Sequence, residues 1–418
     1  MSTGADAGAM APCAAALARK LTSEEVEVEG RAVLVRVDFN VPVADGKVTD
    51  ANRIEAAMPT LRSLIGRGAR VVLMSHRGRP GGVVDPRFTM APVARSLGVL
   101  LGQHVGLAPD CVGAEVRGLV DALEPGAVLL LENLRYHAGE TANDLVFAAQ
   151  LAELADIYIS DAFGVAHRAH ASVVGVASIV PAAAAGLLLR REVEQLSCAL
   201  VDPPKPFVLI LGGAKVSDKV ELIGNVLQIV DRIVIGGAMA NAFLAAQGRP
   251  IGASLAPADA IEEAGRLLVE AAAADVEVVL PDDLVAAPAI DRSAAAHVVY
   301  DVADDEMALD IGPASRARFA AVLVNARTVV WNGPMGVFET EAFAGGTAAV
   351  AAAVASLGPG AFTVIGGGDT AAAAAMFSIV DKVSHVSTGG GASLDLLSGV
   401  VLPGVDALTN RDSHGVED

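Results

Sequence analysis

The sequence predicts an α/β protein of two parallel-sheet domains, bilobal, joined by a linker helix and hinge, and three observations carry that expectation. Short apolar, β-branched runs recur along the chain, each followed by a turn and a longer segment of helical spacing, the pattern of parallel strands with crossover helices. The 418 residues exceed what one hydrophobic core fills, roughly 250 to 300 residues. Between the halves, residues 181–199 set Leu187, Leu188, Val193 and Leu196 at helical spacing ahead of the turn Asp202-Pro203-Pro204, which reads as a linker helix. The expected division is an N-terminal domain over 1–185, linker and hinge over 186–203, and a C-terminal domain over 204–390.

In the first half the strand-like runs are 32–37, 70–74, 127–131 and 157–160. In the second they are 207–211, 232–235, 277–280, 328–331, 361–365 and 382–387. The stretch 342–368 carries no charge over 27 residues, long enough to span a bilayer, yet it holds Gly345, Gly346, Gly358, Pro359 and Gly360 and is built on alanine. It reads as a buried helix, a turn and a buried strand, and no membrane partner is expected. Residues 1–20 lack a basic region before their alanines and carry Asp6, so no secretory signal is expected and the cytoplasm is the default. The three cysteines, Cys13, Cys111 and Cys198, form no CxxC pair and read as small buried hydrophobes.

Charge separates the halves. The net charge of −19 argues against nucleic acid as a partner. Residues 1–195 nevertheless carry 18 basic against 22 acidic side chains, whereas 196–418 carry 12 against 27, so a side-chain anion site is expected in the first half. Ligands of open α/β sheets sit beyond the carboxyl ends of the strands. In the first half those ends hold Arg36, then Arg77 and Arg79, then Arg135, then Arg168, so four strand ends each deliver an arginine. Guanidinium forks crowded on one rim repel unless an anion joins them, which points to a small polyanion.

In the second half the strand ends carry Gly212-Gly213, Gly236-Gly237, Gly366-Gly367-Gly368 and Gly389-Gly390-Gly391, each leading towards a helix. Glycine admits close backbone approach and a helix N-terminus offers free N–H groups, so phosphates can be held there with few basic side chains. Among only six lysines, Lys215 and Lys219 stand four apart after the first of these turns, expected on one face of the following helix as mobile charges for a phosphoryl group.

The strings Arg-Val-Asp-Phe-Asn-Val-Pro at 36–42, Leu-Gly-Gly-Ala-Lys-Val-Ser-Asp-Lys at 211–219, Trp-Asn-Gly-Pro-Met-Gly-Val-Phe-Glu at 331–339 and Gly-Gly-Gly-Asp-Thr at 366–370 together resemble the phosphoglycerate kinase family, in order, from about residue 21 to Leu408. The resemblance implies two Rossmann-like domains that close about a hinge, which X-ray scattering with both substrates would register as compaction, with a last segment, 391–418, returning to the N-terminal domain. It implies a monomer that passes a phosphoryl group reversibly between ATP and the carboxylate of 3-phosphoglycerate, giving ADP and 1,3-bisphosphoglycerate, with Mg2+.

Carried over by resemblance, Asp38, Phe39, Asn40, Arg53, His76, Arg79, Arg135 and Arg168 hold 3-phosphoglycerate, with Arg36 and His167 nearby. Arg53 faces the reacting carboxylate and Lys215 follows the moving group, with Gly368 and Gly391 as further catalytic positions. Lys219 meets the nucleotide phosphates, Glu339 the ribose and Asp369 the magnesium ion, while Gly213, Gly237, Ala308, Asn332, Gly367 and Thr370 complete the nucleotide site. Arg77, Val165 and Ala308 depart from the family's usual leucine, threonine and glycine, and Ala308 puts nucleotide preference in question.

Two other readings remain open. The run Phe362-Thr363-Val364-Ile365 into Gly366-Gly367-Gly368-Asp369-Thr370-Ala371 fits a dinucleotide-binding turn of an NAD-dependent oxidoreductase, although no acidic residue ends the next strand. A non-catalytic binding protein on the same fold is the other. A P-loop kinase is disfavoured because G-x-x-x-x-G-K-[ST] is absent from the sequence.

Overall fold

The computed structural model describes residues 11–414; the weakly apolar start, 1–10, and the end of the C-terminal extension, 415–418, lie outside the described residues. The chain forms two compact units, Pro12–Glu194 with the residues from Val401 onwards, and Gln195–Val400.

The first unit is built on β1 (Ala32–Val37), β2 (Arg70–Met74), β3 (Val105–Leu107), β4 (Val128–Leu130), β5 (Ile157–Asp161) and β6 (Ala182–Ala185), in the sheet order β3-β4-β2-β1-β5-β6. All five pairings are parallel, with Val35 set between Leu73 and Ile159. Helices cover both faces of such a sheet, so its strands carry unbroken apolar runs, and every residue of β1 is buried. Val33, Val35 and Val37 join Leu61 and Leu64 of α1 (Asn52–Gly66) in the core.

Residues 181–199 divide differently from expectation. Ala182–Ala185 is the sixth strand, and only α2 (Leu187–Cys198) is helix. Four alanines carry no strand signal of their own; β6 exists because its neighbours supply hydrogen bonds on both sides. Ser160 lies opposite Ala185 in β5, while Ala185 N donates to Leu21 O at 2.8 Å and Thr409 N to Ala183 O at 2.9 Å.

The second unit carries β7 (Phe207–Leu211), β8 (Arg232–Ile235), β9 (Glu277–Val279), a three-stranded antiparallel sheet of β10 (Leu284–Ala287), β11 (His297–Val299) and β12 (Met307–Ile311), then β13 (Thr328–Asn332), β14 (Phe362–Gly366) and β15 (His385–Val386). The main sheet is parallel in the order β9-β8-β7-β13-β14-β15, counted within the unit as 3-2-1-4-5-6, the doubly wound arrangement. Its direction of winding reverses between β7 and β13, where a ligand crevice is expected. The antiparallel sheet was not read from the sequence. The stretch 342–368 is a helix (Gly345–Ser356), a turn and β14, and no helix among the described residues is long and apolar enough to cross a membrane.

Cys198, expected to be buried like Cys13 and Cys111, is exposed on α2. Two further expectations are corrected. Lys215 and Lys219 do not share a helix face: Lys215 lies in the bend after β7, Lys219 ends a single 3-10 turn, and α3 (Val220–Val226) starts only after it. The return to the first unit begins at Val401 rather than at 391, because Gly391–Leu397 stays in the second unit, where Asn225 Nδ2 donates to Leu397 O at 2.7 Å.

Candidate functional site

In the first unit the segments that follow β2, β4 and β5 converge on a cavity of about 490 Å3 whose walls include Arg79, Arg135, Arg168, His137 and His170. Arg135 NH1 donates to Gly78 O at 2.7 Å, and Arg168 Nε to His167 Nε2 at 3.1 Å. Burial, then the charges of Arg168 and Arg36, hold the Arg135 pKa below its ordinary value, as crowded guanidinium groups do. His167 is pushed down to about 4 by burial and by Arg168, so its ring is neutral near pH 7. With Nε2 accepting from Arg168, the proton sits on Nδ1, a buried donor without a hydrogen-bond partner among the described residues.

Around that cavity the sequence-derived set divides into layers. Arg53, in the first turn of α1, donates from NH1 to Asp38 Oδ2 at 2.9 Å and to Asn40 O at 3.4 Å. Asn40 Oδ1 accepts from Gly78 N at 2.9 Å, tying the β1 loop to the β2 loop. His76 is buried and held well below its ordinary pKa by burial and by Arg36, Arg135, Arg168 and Arg53, so it too is neutral.

Three expected members stand elsewhere. Arg36 is not on the rim; it is buried behind it, with Nε on Ser172 Oγ at 2.8 Å and NH2 3.2 Å from His76 Nδ1. Phe39 is fully buried in the core and its N–H is taken by Ser75 Oγ, so its side chain does not face the cavity. Arg77 turns away, donating to Thr89 O at 3.1 Å and to Arg87 O and lying 5.8 Å over the Phe88 ring, which explains how an arginine replaces an apolar residue in this turn.

Sequence reasoning missed Glu140 and Asn133. Glu140 is fully buried, accepts from Ser172 N at 3.0 Å and Ser172 Oγ at 2.6 Å, and lies 3.9 Å from Arg36, so it anchors the rear of the cationic cluster. Asn133 Oδ1 accepts from Arg77 N and Arg135 N, and its amide donates to Arg77 O at 2.6 Å, so it sets both arginine-bearing loops. The signal available was polar residues beside strand ends, which alone does not separate scaffolding from contact.

In the second unit a cavity of about 690 Å3 opens at the switch point between β7 and β13. One side is glycine and polar, with Gly213, Gly237, Asn241, Glu339 and Asp369; the other is apolar, with Leu255, Ile290, Leu309 and Val337. The glycine turns lock together: Gly213 N donates to Pro334 O at 2.9 Å and Gly237 N to Met335 O at 3.0 Å. A Cβ on Gly212 would stand 2.1 Å from Pro334 O, so this turn admits glycine alone.

Gly368 and Asp369 open α5 (Gly368–Met376; α4 being Met239–Ala246), both exposed, while Thr370 is buried with its hydroxyl accepting from Gly333 N at 2.7 Å. Asn332 is buried, its Nδ2 without a hydrogen-bond partner among the described residues and 3.2 Å from where a Cβ on Gly367 would lie. Lys215 is exposed; Lys219 is buried, and burial lowers its pKa against the opposing charges of Asp218 and Asp369. Gly391 opens α6 (Gly391–Leu397), exposed, beyond a loop pinned by Ser387 Oγ and Ser393 Oγ at 2.8 Å. Ala308 lies in the cavity wall on β12, where a register shift against β10 falls and Ser254 Oγ accepts its N–H at 2.9 Å.

The arrangement pairs a side-chain anion site with a backbone-lined cavity that has one apolar wall. The family model for phosphoglycerate kinase matches residues 23–400. The phosphoglycerate kinase of Moorella thermoacetica is 55% identical over 394 residues, covering 94% of this chain and all of that protein. The solved phosphoglycerate kinase of Coxiella burnetii superposes with a TM-score of 0.80 at 42% identity over 93% of this chain and 98% of that one. That of Pyrococcus horikoshii OT3 does so at 0.80 with 33% identity over 95% of this chain and 100% of that one. The chain belongs to the phosphoglycerate kinase family.

Proposed function

We propose that the two cavities hold the two substrates of phosphoglycerate kinase chemistry, 3-phosphoglycerate on the arginine cluster and ATP or ADP on the glycine turns. Membership of the family makes the chain a phosphotransferase. In the acceptor site Arg79, Arg135 and Arg168 take the phosphate and Arg53, oriented by Asp38, faces the carboxylate. A carboxylate is already ionised, so its oxygen attacks the γ-phosphorus as the bond to the ADP oxygen breaks, and no base is needed. Lys215 balances the charge of the moving group, and the N–H groups opening α5 and α6 receive phosphate oxygens.

The residues of the nucleotide cavity suit magnesium. Asp369 is an exposed carboxylate on its wall, a hard oxygen donor, and magnesium takes one or two carboxylates with substrate phosphates and water. When bound, the ion neutralises charge on the phosphate oxygens. We read the chain as a monomer working in the cytoplasm, each copy carrying both sites.

The observation that carries this reading is the cavity walled by the crowded guanidinium groups of Arg79, Arg135 and Arg168. ATP with 3-phosphoglycerate, coupled to a reducing dehydrogenase, should give turnover; none at saturating substrate overturns it. Lys215→Ala should lower kcat by about a hundredfold or more, equivalent to roughly 2.7 kcal/mol of transition-state stabilisation, with an unchanged circular dichroism spectrum. A binding protein on this fold would show no turnover for the substitution to remove.

A further inference from the structure

The carboxyl ends of β3 and β4 bring together three side chains that phosphoryl transfer does not use. Asp110 and Cys111 follow β3, and His137 follows the 3-10 turn Leu134–Tyr136 beyond β4. The ligand atoms of Asp110, Cys111 and His137 all lie within 4.8 Å of one another. Around a tetrahedral zinc, with bonds of about 2.0 to 2.3 Å, ligand atoms stand roughly 3.3 to 3.8 Å apart. Small side-chain rotations therefore suffice to bring the three onto one ion.

The set is arranged for a cation in two ways. His137 Nε2 lies 2.6 Å from Asp110 Oδ1, a hydrogen-bonded position that an ion would take over, and the ring is steadied by stacking on Phe147 with centroids 4.7 Å apart. The buried Cys111 sulfur donates to Glu132 O at 3.0 Å, a proton that an entering dication displaces, and the carboxylates of Asp110, Glu140 and Glu132 offset part of the dication's charge. His137 also borders the cavity of Arg79, Arg135 and Arg168, and the side chains of His137 and Asp110 are themselves 28% and 50% exposed, so solvent reaches both ligands.

One thiolate, one imidazole and one carboxylate oxygen suit a borderline-soft dication, whereas magnesium prefers oxygen alone. We propose that Asp110, Cys111 and His137 form a zinc-binding site beside the anion cavity, with water in the fourth position and separate from the magnesium used with the nucleotide.

The test uses the full chain carrying Cys13→Ala and Cys198→Ser, which leaves Cys111 as the sole cysteine. Zinc is titrated against a chromophoric chelator, and cobalt(II) is then put in its place. The expected result is one equivalent bound at about micromolar affinity or tighter, with a thiolate-to-cobalt charge-transfer absorption. His137→Gln in that background should weaken zinc by at least about tenfold. A cobalt complex without the thiolate absorption, or zinc binding unchanged by His137→Gln, overturns the proposal.

Discussion

Arg79, Arg135 and Arg168 line one cavity, and their charges raise the energy of the empty site while lowering that of the filled one. Arg79 separates the two effects best, because it is exposed and reaches the cavity without anchoring a loop. Arg79→Ala should leave the unfolding free energy of the free protein within about 0.5 kcal/mol of the parent. It should weaken 3-phosphoglycerate by about 1.5 to 3 kcal/mol, the range for a charge-assisted hydrogen bond. Melting curves with and without the ligand check both; an equal ligand-induced shift in parent and variant would count against the assignment. At this scale the sequence spoke clearly about residue types, since phosphate calls for guanidinium forks and glycine turns. It did not reveal direction. Arg77 and Arg79 flank one glycine, yet Arg77 packs on Phe88 and only Arg79 lines the cavity.

Helix α2 begins on a buried acid. Asp161, the last residue of β5, accepts from Leu188 N at 2.8 Å and Leu189 N at 3.2 Å, and Thr60 Oγ1 accepts from Leu187 N. A Cβ on Gly186 would lie 2.1 Å from the same Asp161 oxygen, so glycine is required where strand turns to helix. Burial pushes the Asp161 carboxyl up from 3.8 to about 7, and Oδ2, without a hydrogen-bond partner among the described residues, is the place for the proton. The folded state then keeps a proton that the unfolded chain has released, so Asp161 makes stability fall as pH rises between 3.8 and about 7. Asp161→Asn keeps the cap and removes the titration. The gap in melting midpoint between variant and parent should therefore grow in the variant's favour from pH 5 to pH 8, by about a kcal/mol or more. A constant gap across that range refutes the assignment. Elements with strong periodicity, such as β1 and β7, were legible because a doubly covered sheet demands unbroken apolar strands. β6 was not, since its four alanines become a strand only through the hydrogen bonds that β5, Leu21 and Thr409 offer.

For the molecule as a whole, the two-unit plan follows from length and from the change from arginine to glycine at the strand ends, but the route of the chain does not. The first unit is completed by residues far along the sequence: Lys20 Nζ donates to Asp406 O at 2.6 Å and Leu408 O at 2.8 Å, and Thr409 closes on Ala183 beside β6. No local pattern announces pairings between residues nearly four hundred positions apart. Leu402, Val405 and Leu408 are buried there, and at about 1.5 to 3 kcal/mol for each side chain their removal costs roughly 4 to 9 kcal/mol. That is comparable with the whole stability of an ordinary domain, roughly 5 to 15 kcal/mol. A chain ending at Val400 should therefore lose amide protection across β1, β2, β5 and β6 in hydrogen exchange followed by mass spectrometry. β7, β8, β13 and β14 should stay protected, and ADP should still slow exchange at the glycine turns after β7 and β8. Full protection of β5 and β6 in the truncated chain would show that the first unit closes without its C-terminal strap.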